Sequence, residues 1–182
     1  MRIRTRAIAI AAAACGILLG SAAAVRAQDA DEGPAITARV HGTFVDARGG
    51  SGVLSGDMFI VRFEVRNGTV VAIGKIEGSL ADSQGGVLGL VGQELMMPVT
   101  GVESTCNQLR MDLGATDADV LQTPVHFDAE TAGFDSRDGA TPKAMGVLCA
   151  AGELLRKKPA AADLAKALDG IAATLRARGP GR

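Results

Sequence analysis

From Ile36 onward, apolar and polar residues alternate with a period of two. Ile36, Ala38, Val40 and Phe44 share one phase and Thr37, Arg39, His41 and Thr43 the other, the pattern of a strand with one buried face. Arg48-Gly49-Gly50-Ser51-Gly52 interrupts it as a flexible turn. The clearest local signal is Asn67-Gly68, the preferred pair for a type I′ hairpin. Folding the chain there sets Val65 opposite Val70, Phe63 opposite Ala72, Val61 opposite Gly74 and Phe59 opposite Ile76, an apolar face throughout. The reverse face pairs Arg66 with Thr69, Glu64 with Val71, Arg62 with Ile73 and Ile60 with Lys75, and is mostly wet.

More strands follow at similar spacing. After Ser83-Gln84-Gly85-Gly86, the positions Val91, Leu95, Met97 and Val99 alternate, with Gln93 as a polar break. Leu109, Met111 and Leu113 mark the next strand, and Val125 and Phe127 another, with Phe134 ending the β region. Short strands joined by Gly turns predict an antiparallel sandwich or barrel. The period then changes. Thr141-Pro142 is a helix N-cap followed by Pro at the first helical position. Met145, Leu148, Cys149, Gly152 and Leu155 fall on one helical face, predicting a helix over about 141–157. Pro159 restarts a second helix over 159–178, with Leu164, Leu168, Ile171 and Leu175 as its seam. The expected architecture is mainly β with a C-terminal pair of α-helices, one domain over residues 36–178 and a tail over 179–182.

The N-terminus has a different character. Arg2, Arg4 and Arg6 precede an apolar stretch from Ala7 to Val25, which closes in Val25-Arg26-Ala27. This is the layout of a secretory signal peptide over residues 1–27, cut after Ala27, with a polar lead-in over 28–35. A retained membrane anchor is the competing reading, and a lipoprotein at Cys15 lacks the usual large residue three positions upstream. No later segment is apolar enough to span a bilayer as a helix. Export changes the charge arithmetic. The precursor has 19 basic and 20 acidic residues; losing four leader arginines leaves 15 basic, a net charge of about −5. It also leaves Cys106 and Cys149, an even pair that reads as a disulfide in an exported chain, with two buried free thiols as the other reading. Cys106 shares the phase of Gln108 and Arg110, so it belongs at a strand entry or a bulge beneath the first helix.

Several short motifs carry a resemblance. They are Phe59-x-x-x-Phe63-x-Val65-x-Asn67-Gly68, Val71-Ala72-x-Gly74-x-x-x-Gly78-x-Leu80 and Pro98-Val99-x-Gly101-Val102 followed by Cys106. Next come Leu109-x-Met111-Asp112-Leu113-Gly114, Asp117-x-Asp119-x-Leu121, Val125-His126-Phe127-Asp128 and Leu148-Cys149-Ala150. In these, residues 56 to 175 resemble a family of uncharacterised small exported bacterial proteins. The resemblance implies that Cys106 and Cys149 are partners, and it brings no catalytic residues with it. Thr116, Ala118 and Thr123 stand where the family is Leu-rich.

Composition and motifs narrow the function. With no Trp, no Tyr and 5 Phe, the chain is poorly equipped to stack sugars or nucleobases, and its near-neutral charge argues against a nucleic-acid partner. No Walker loop, HExxH or GxSxG elbow is present, so no catalytic residue and no cofactor is assigned. His41 and His126 have the outward phase of their strands and lack a third ligand for zinc, so no metal is assigned. Asp112, Asp117, Asp119 and Asp128 lack the dense spacing of a calcium loop and read as solvated turn acids. Asp135-Ser136-Arg137-Asp138-Gly139 reads as an Asx-type turn leading into the helix. The expectation is an exported, periplasmic or extracellular domain that binds or serves the envelope structurally, without catalysis. The alternatives are a carrier of a small apolar ligand in a barrel cavity and, less favoured, a hydrolase using His126 with a nearby Asp. The apolar seam of the last helix is expected to pack onto its own sheet, with self-association through an exposed part of it as the second reading.

Overall fold

The computed structural model describes residues 36–135 and 142–176. The chain divides into two units, Met1–Ala30 and Asp31–Arg182, and every described residue belongs to the second. The leader with its cleavage point, the lead-in, residues 136–141 and the tail lie outside the described residues.

Eight strands form one antiparallel sheet: β1 (Ile36–Val45), β2 (Ser51–Arg66), β3 (Thr69–Ala81), β4 (Val87–Ser104), β5 (Gln108–Leu113), β6 (Thr116–Val120), β7 (Thr123–Phe127) and β8 (Glu130–Asp135). The order β2-β3-β4-β5-β8-β1-β7-β6 closes on itself, because β1 also pairs with β2 along its whole length. Of the two expected architectures, the sheet therefore adopts the barrel. Two residues separate β5 from β6 and two separate β7 from β8, so each pair acts as one long strand with a break. The result is an up-and-down barrel of six staves. Between the first half of β4 and β6 there is no backbone ladder; the Gln93 side chain bridges this seam, donating from Nε2 to the Asp119 carbonyl at 2.8 Å.

The alternation read from β1 holds residue by residue: Ile36, Ala38, Val40, Gly42 and Phe44 point in, and the residues between them point out. The Asn67-Gly68 hairpin forms as expected, with both residues at positive φ and Val65 opposite Val70. Beyond Arg62, which still faces Ile73, the expected register fails. An extra residue at Val61 makes a bulge between Ile60 and Arg62, which reverses the phase of everything earlier in β2. Met58 and Ile60 enter the interior, while Phe59 and Val61 lie half-buried outside it. The bulge lets a 16-residue strand coil tightly enough to follow a narrow barrel. Ile73 takes the expected outer face yet is fully buried. Arg62, its neighbour on β2, reaches past β3 to Glu94 on β4 at 3.2 Å, and its stem roofs the isoleucine.

The interior is filled. Val40, Met58, Ile60, Met97, Met111 and Phe127 have no exposed surface, so no water-sized space touches them. Where β2 and β3 cross most closely, two inward glycines face each other, Gly56 and Gly78. A Cβ on either would collide with the backbone of the other strand.

Two helices, α1 (Pro142–Arg156) and α2 (Ala161–Arg176), cover the end of the barrel that holds the Asn67-Gly68 hairpin. Leu168, Ile171 and Leu175, together with Leu148, join the barrel's own core cluster. The α2 seam thus packs against the sheet, as expected, with Leu164 half-buried. Among the described residues no strand lies beside the edge of β2 past Ile60, and Asp169 of α2 accepts the Phe63 N–H there at 2.6 Å. The second helix starts later than the sequence implied, because the Ala160 carbonyl accepts its first bond from Leu164 and Pro159 stays in the connector. Among the described residues no helix is long and apolar enough to cross a membrane.

Cys106 and Cys149 meet at an S–S distance of 2.03 Å. Cys106 occupies the turn that enters β5, which explains why it shares no phase with Leu109. The bond pins α1 to the end of β4, where the Ser104 hydroxyl donates to the Leu148 carbonyl at 3.0 Å.

Two outcomes follow. Gly56→Ala should cost about 2–3 kcal/mol in urea denaturation, whereas Gly92→Ala, which meets nothing within 4 Å, should change stability little. Reducing the disulfide should cost up to about 4 kcal/mol in the same assay, since it closes a loop of 43 residues.

Candidate functional site

At the barrel end away from the helices, three hairpin tips gather. Two of them repeat one sequence pattern, Asp-x-x-Gly-Gly: Asp46-Ala47-Arg48-Gly49-Gly50 and Asp82-Ser83-Gln84-Gly85-Gly86. Each forms the same loop. The aspartate carboxylate accepts the N–H of the last glycine, at 2.8 Å to Gly50 and 2.7 Å to Gly86. It also accepts the N–H two residues on, at 2.9 Å from Arg48 and 3.0 Å from Gln84. Gly49 and Gly85 take φ of 78° and 81°, a conformation that favours glycine. The second oxygen of Asp46 crosses to the other loop and accepts the Ser83 N–H at 3.0 Å. The repeat is visible in the sequence as a spaced motif, but reading each Gly-rich stretch as a separate flexible loop conceals it.

The third tip, Leu121-Gln122, has the same left-handed turn as Asn67-Gly68 but none of its residue chemistry. Leu121 sits at φ 50° and Gln122 at 65°. Placing leucine there costs of order 1 kcal/mol. Its methyl rests on Gly89 of β4, where a Cβ would lie 2.9 Å from it, and so ties the β6–β7 hairpin across the seam without a backbone ladder.

Both histidines lie on the outer wall, each bonded to a carboxylate through Nδ1. His41 on β1 meets Glu130 on β8 at 2.8 Å, and His126 on β7 meets Asp117 on β6 at 2.7 Å. The second pair borders a shallow open groove of about 410 Å³ with Thr43, Phe44, Val45 and Ser51. Ser51, His126 and Asp117 thus share one depression, yet no hydrogen bond joins Ser51 to His126. Asp117 is 84% exposed, so water screens the field a catalytic dyad would need. Both described helices pack at the opposite end, so neither brings its N-terminus to the groove.

The other acids singled out from the sequence do not converge. Asp112, Asp117 and Asp119 stand on the outer faces of strands, not in turns as expected, because β5 and β6 run straight through them. Asp128 lies in the β7–β8 break, where its N–H donates to the His41 carbonyl at 3.0 Å. Among the described residues no group of three or more His, Cys, Asp or Glu could hold a metal ion. Asp135 ends β8, and the rest of the turn expected at 135–139 lies outside the described residues.

Comparison with protein-family models, curated proteins and solved structures finds no match for the chain. The site therefore rests on its own geometry.

The Asp46 clamp is open to test through acid titration. Hydrogen bonds from Ser83 first, then from Gly50 and Arg48, hold its carboxyl well below its ordinary value of 3.8. The folded state takes up this proton less readily than the unfolded chain, so the clamp stabilises fully above about pH 4 and its contribution is lost as pH falls below that. Asp46→Asn should lower the melting temperature at neutral pH and soften its further decline between about pH 4 and pH 2. An unchanged acid slope in the variant would disprove the clamp.

Proposed function

We propose that the protein is exported to the periplasm or the medium and works without catalysis, as a binding module or a structural element of the cell envelope. The filled barrel is the observation that carries this reading. With the interior occupied by its own side chains, recognition falls to the outer surface. The leader, the paired cysteines and the mild acidity of the mature chain support export and solubility. A carrier of small apolar ligands would need internal volume, and Met58, Met97, Met111 and Phe127 occupy the place where it would sit. A hydrolase would need a sheltered dyad, and His126 and Asp117 are both open to water.

Protein recovered from its own host should have a mass starting at Gln28, reduced by the two hydrogens of one disulfide, with no bound adduct in native mass spectrometry. Screening the same material against ester, peptide and glycoside substrates should give no turnover. Activity that disappears in His126→Ala would sink the reading, and so would a copurifying apolar ligand.

A further inference from the structure

The outer face of β2, β3 and β4 is divided into two halves of opposite character. Toward the helices it is a lattice of charge. Arg62 meets Glu64 and Glu94, Arg66 meets Glu64, and Lys75 meets Glu77 at 2.8 Å. Toward the twin loops the charges stop. The register aligns Val53, Ala81 and Val87 in one outward row across the three strands, and Ser55, Ser79 and Leu90 in the next. No ionisable side chain stands in either row.

Apolar surface accumulates there. Of the eight large hydrophobic residues exposed among the described residues, six belong to this end: Val45, Val53, Val87, Leu88, Leu90 and Leu121. Leu90 is 81% exposed and Val87 is 69% exposed. Isolated exposed apolar residues are ordinary, but several in register on adjacent strands form a patch of the kind that marks an interaction surface. An exposed apolar edge strand is also a hazard that proteins usually blunt with lysine, proline or inward charge, and Val87–Gln93 carries none of these.

The rim selects the occupant. Asp46, Asp57, Glu77, Asp82 and Asp119 surround the patch. Against these five carboxylates stand Arg48 on the loops, Arg39 opposite Asp57 on β1 and Lys75 on Glu77, with His41 opposite Ser55, so the border keeps an acidic excess. An acidic border repels a second copy of itself and repels anionic headgroups. It attracts lysine and arginine.

We infer that the uncharged face centred on Val53, Val87 and Leu90 docks a protein partner whose contact patch is apolar and rimmed by lysine or arginine. This deepens the binding reading above and rests on it. The apolar rows supply the buried centre of the contact, and the carboxylates supply orientation and the attraction that speeds encounter.

The test uses the mature, disulfide-bonded chain and two labelled amphipathic helical peptides, one of leucine and lysine and one with glutamate in place of lysine. Fluorescence anisotropy should show the leucine–lysine peptide binding at least about tenfold more tightly than its acidic counterpart. The double substitution Val53→Ser, Leu90→Ser should weaken that binding about tenfold or more while leaving the melting temperature unchanged, since both side chains face solvent. Glu153→Gln, which removes one carboxylate on α1, should leave it unaltered. Equal binding of the two peptides, no binding of the basic one, or a double variant that binds as tightly as the parent would overturn the surface. Each leaves the broader binding reading standing, because only turnover or a copurifying ligand bears on that. Leu90-dependent sedimentation with phosphatidylglycerol vesicles, or a Leu90-dependent dimer in analytical ultracentrifugation, would also overturn it by assigning the face to a membrane or to a second copy.

Discussion

Six antiparallel strands close into a cylinder too narrow to hold anything but their own side chains, and this limit on internal volume governs the rest of the molecule. It explains the inward glycines. Where β2 and β3 cross, Gly56 and Gly78 surrender their side chains so that two backbones can approach. At Gly52 the ring of Phe44 fills the missing volume instead. It explains the bulge at Val61, without which a strand as long as β2 could not coil around so tight a barrel. It also sets where function can reside. A wider barrel could enclose a ligand, but this one has only its wall and its ends to offer.

Of the two ends, one is spent on stability. The helices cover it with Leu168, Ile171 and Leu175, the Cys106–Cys149 bond holds α1 in place, and Asp169 accepts the Phe63 N–H at the edge of β2. The other end keeps two short tips locked by local hydrogen bonds and a third held by Leu121 against Gly89, so that its apolar outer rows are presented on a rigid frame. Rigid presentation lowers the ordering cost of association, a term as important as buried area in deciding affinity.

The parts of this architecture legible in the sequence are those with a local physical cause. Alternation along β1, the Asn67-Gly68 turn and the change to helical spacing after Phe134 each arise from neighbours in the chain, and the fold follows them. The register of β2 does not. One inserted residue exchanges Phe59 and Val61 for Met58 and Ile60, and both phases are equally apolar, so period alone cannot choose between them. The closure that makes a barrel of the sheet is a pairing of distant strands, which no window of sequence contains. The outer apolar rows stay hidden for a related reason. Leu88, Leu90 and Val91 form an almost unbroken apolar run, and only the sheet decides that Val91 goes inside while the leucines stay out. The Asp117–His126 pair is similar: nine residues apart in sequence, the two meet because β6 and β7 form a hairpin about a turn, Leu121-Gln122, that lacks the usual residues.

β1 is the strand on which closure depends, and its two edges differ greatly. Toward β2 it is paired at ten positions; toward β7 and β8 it is paired at four, two on each. These four join the first strand of the sheet to the last two, so the cylinder cannot complete itself until nearly the whole β region has been made, and contacts this distant form slowly. The same line is where the native protein opens most readily, because parting it costs the fewest ladder bonds while the hairpins on either side stay whole. His41 and Glu130 lie across it, a clasp on the one join that lacks a turn. Hydrogen exchange along β1 will therefore be uneven, faster at the positions that face β7 and β8 than at those that face β2, and the uncoiled sheet it samples will expose two strand edges at once.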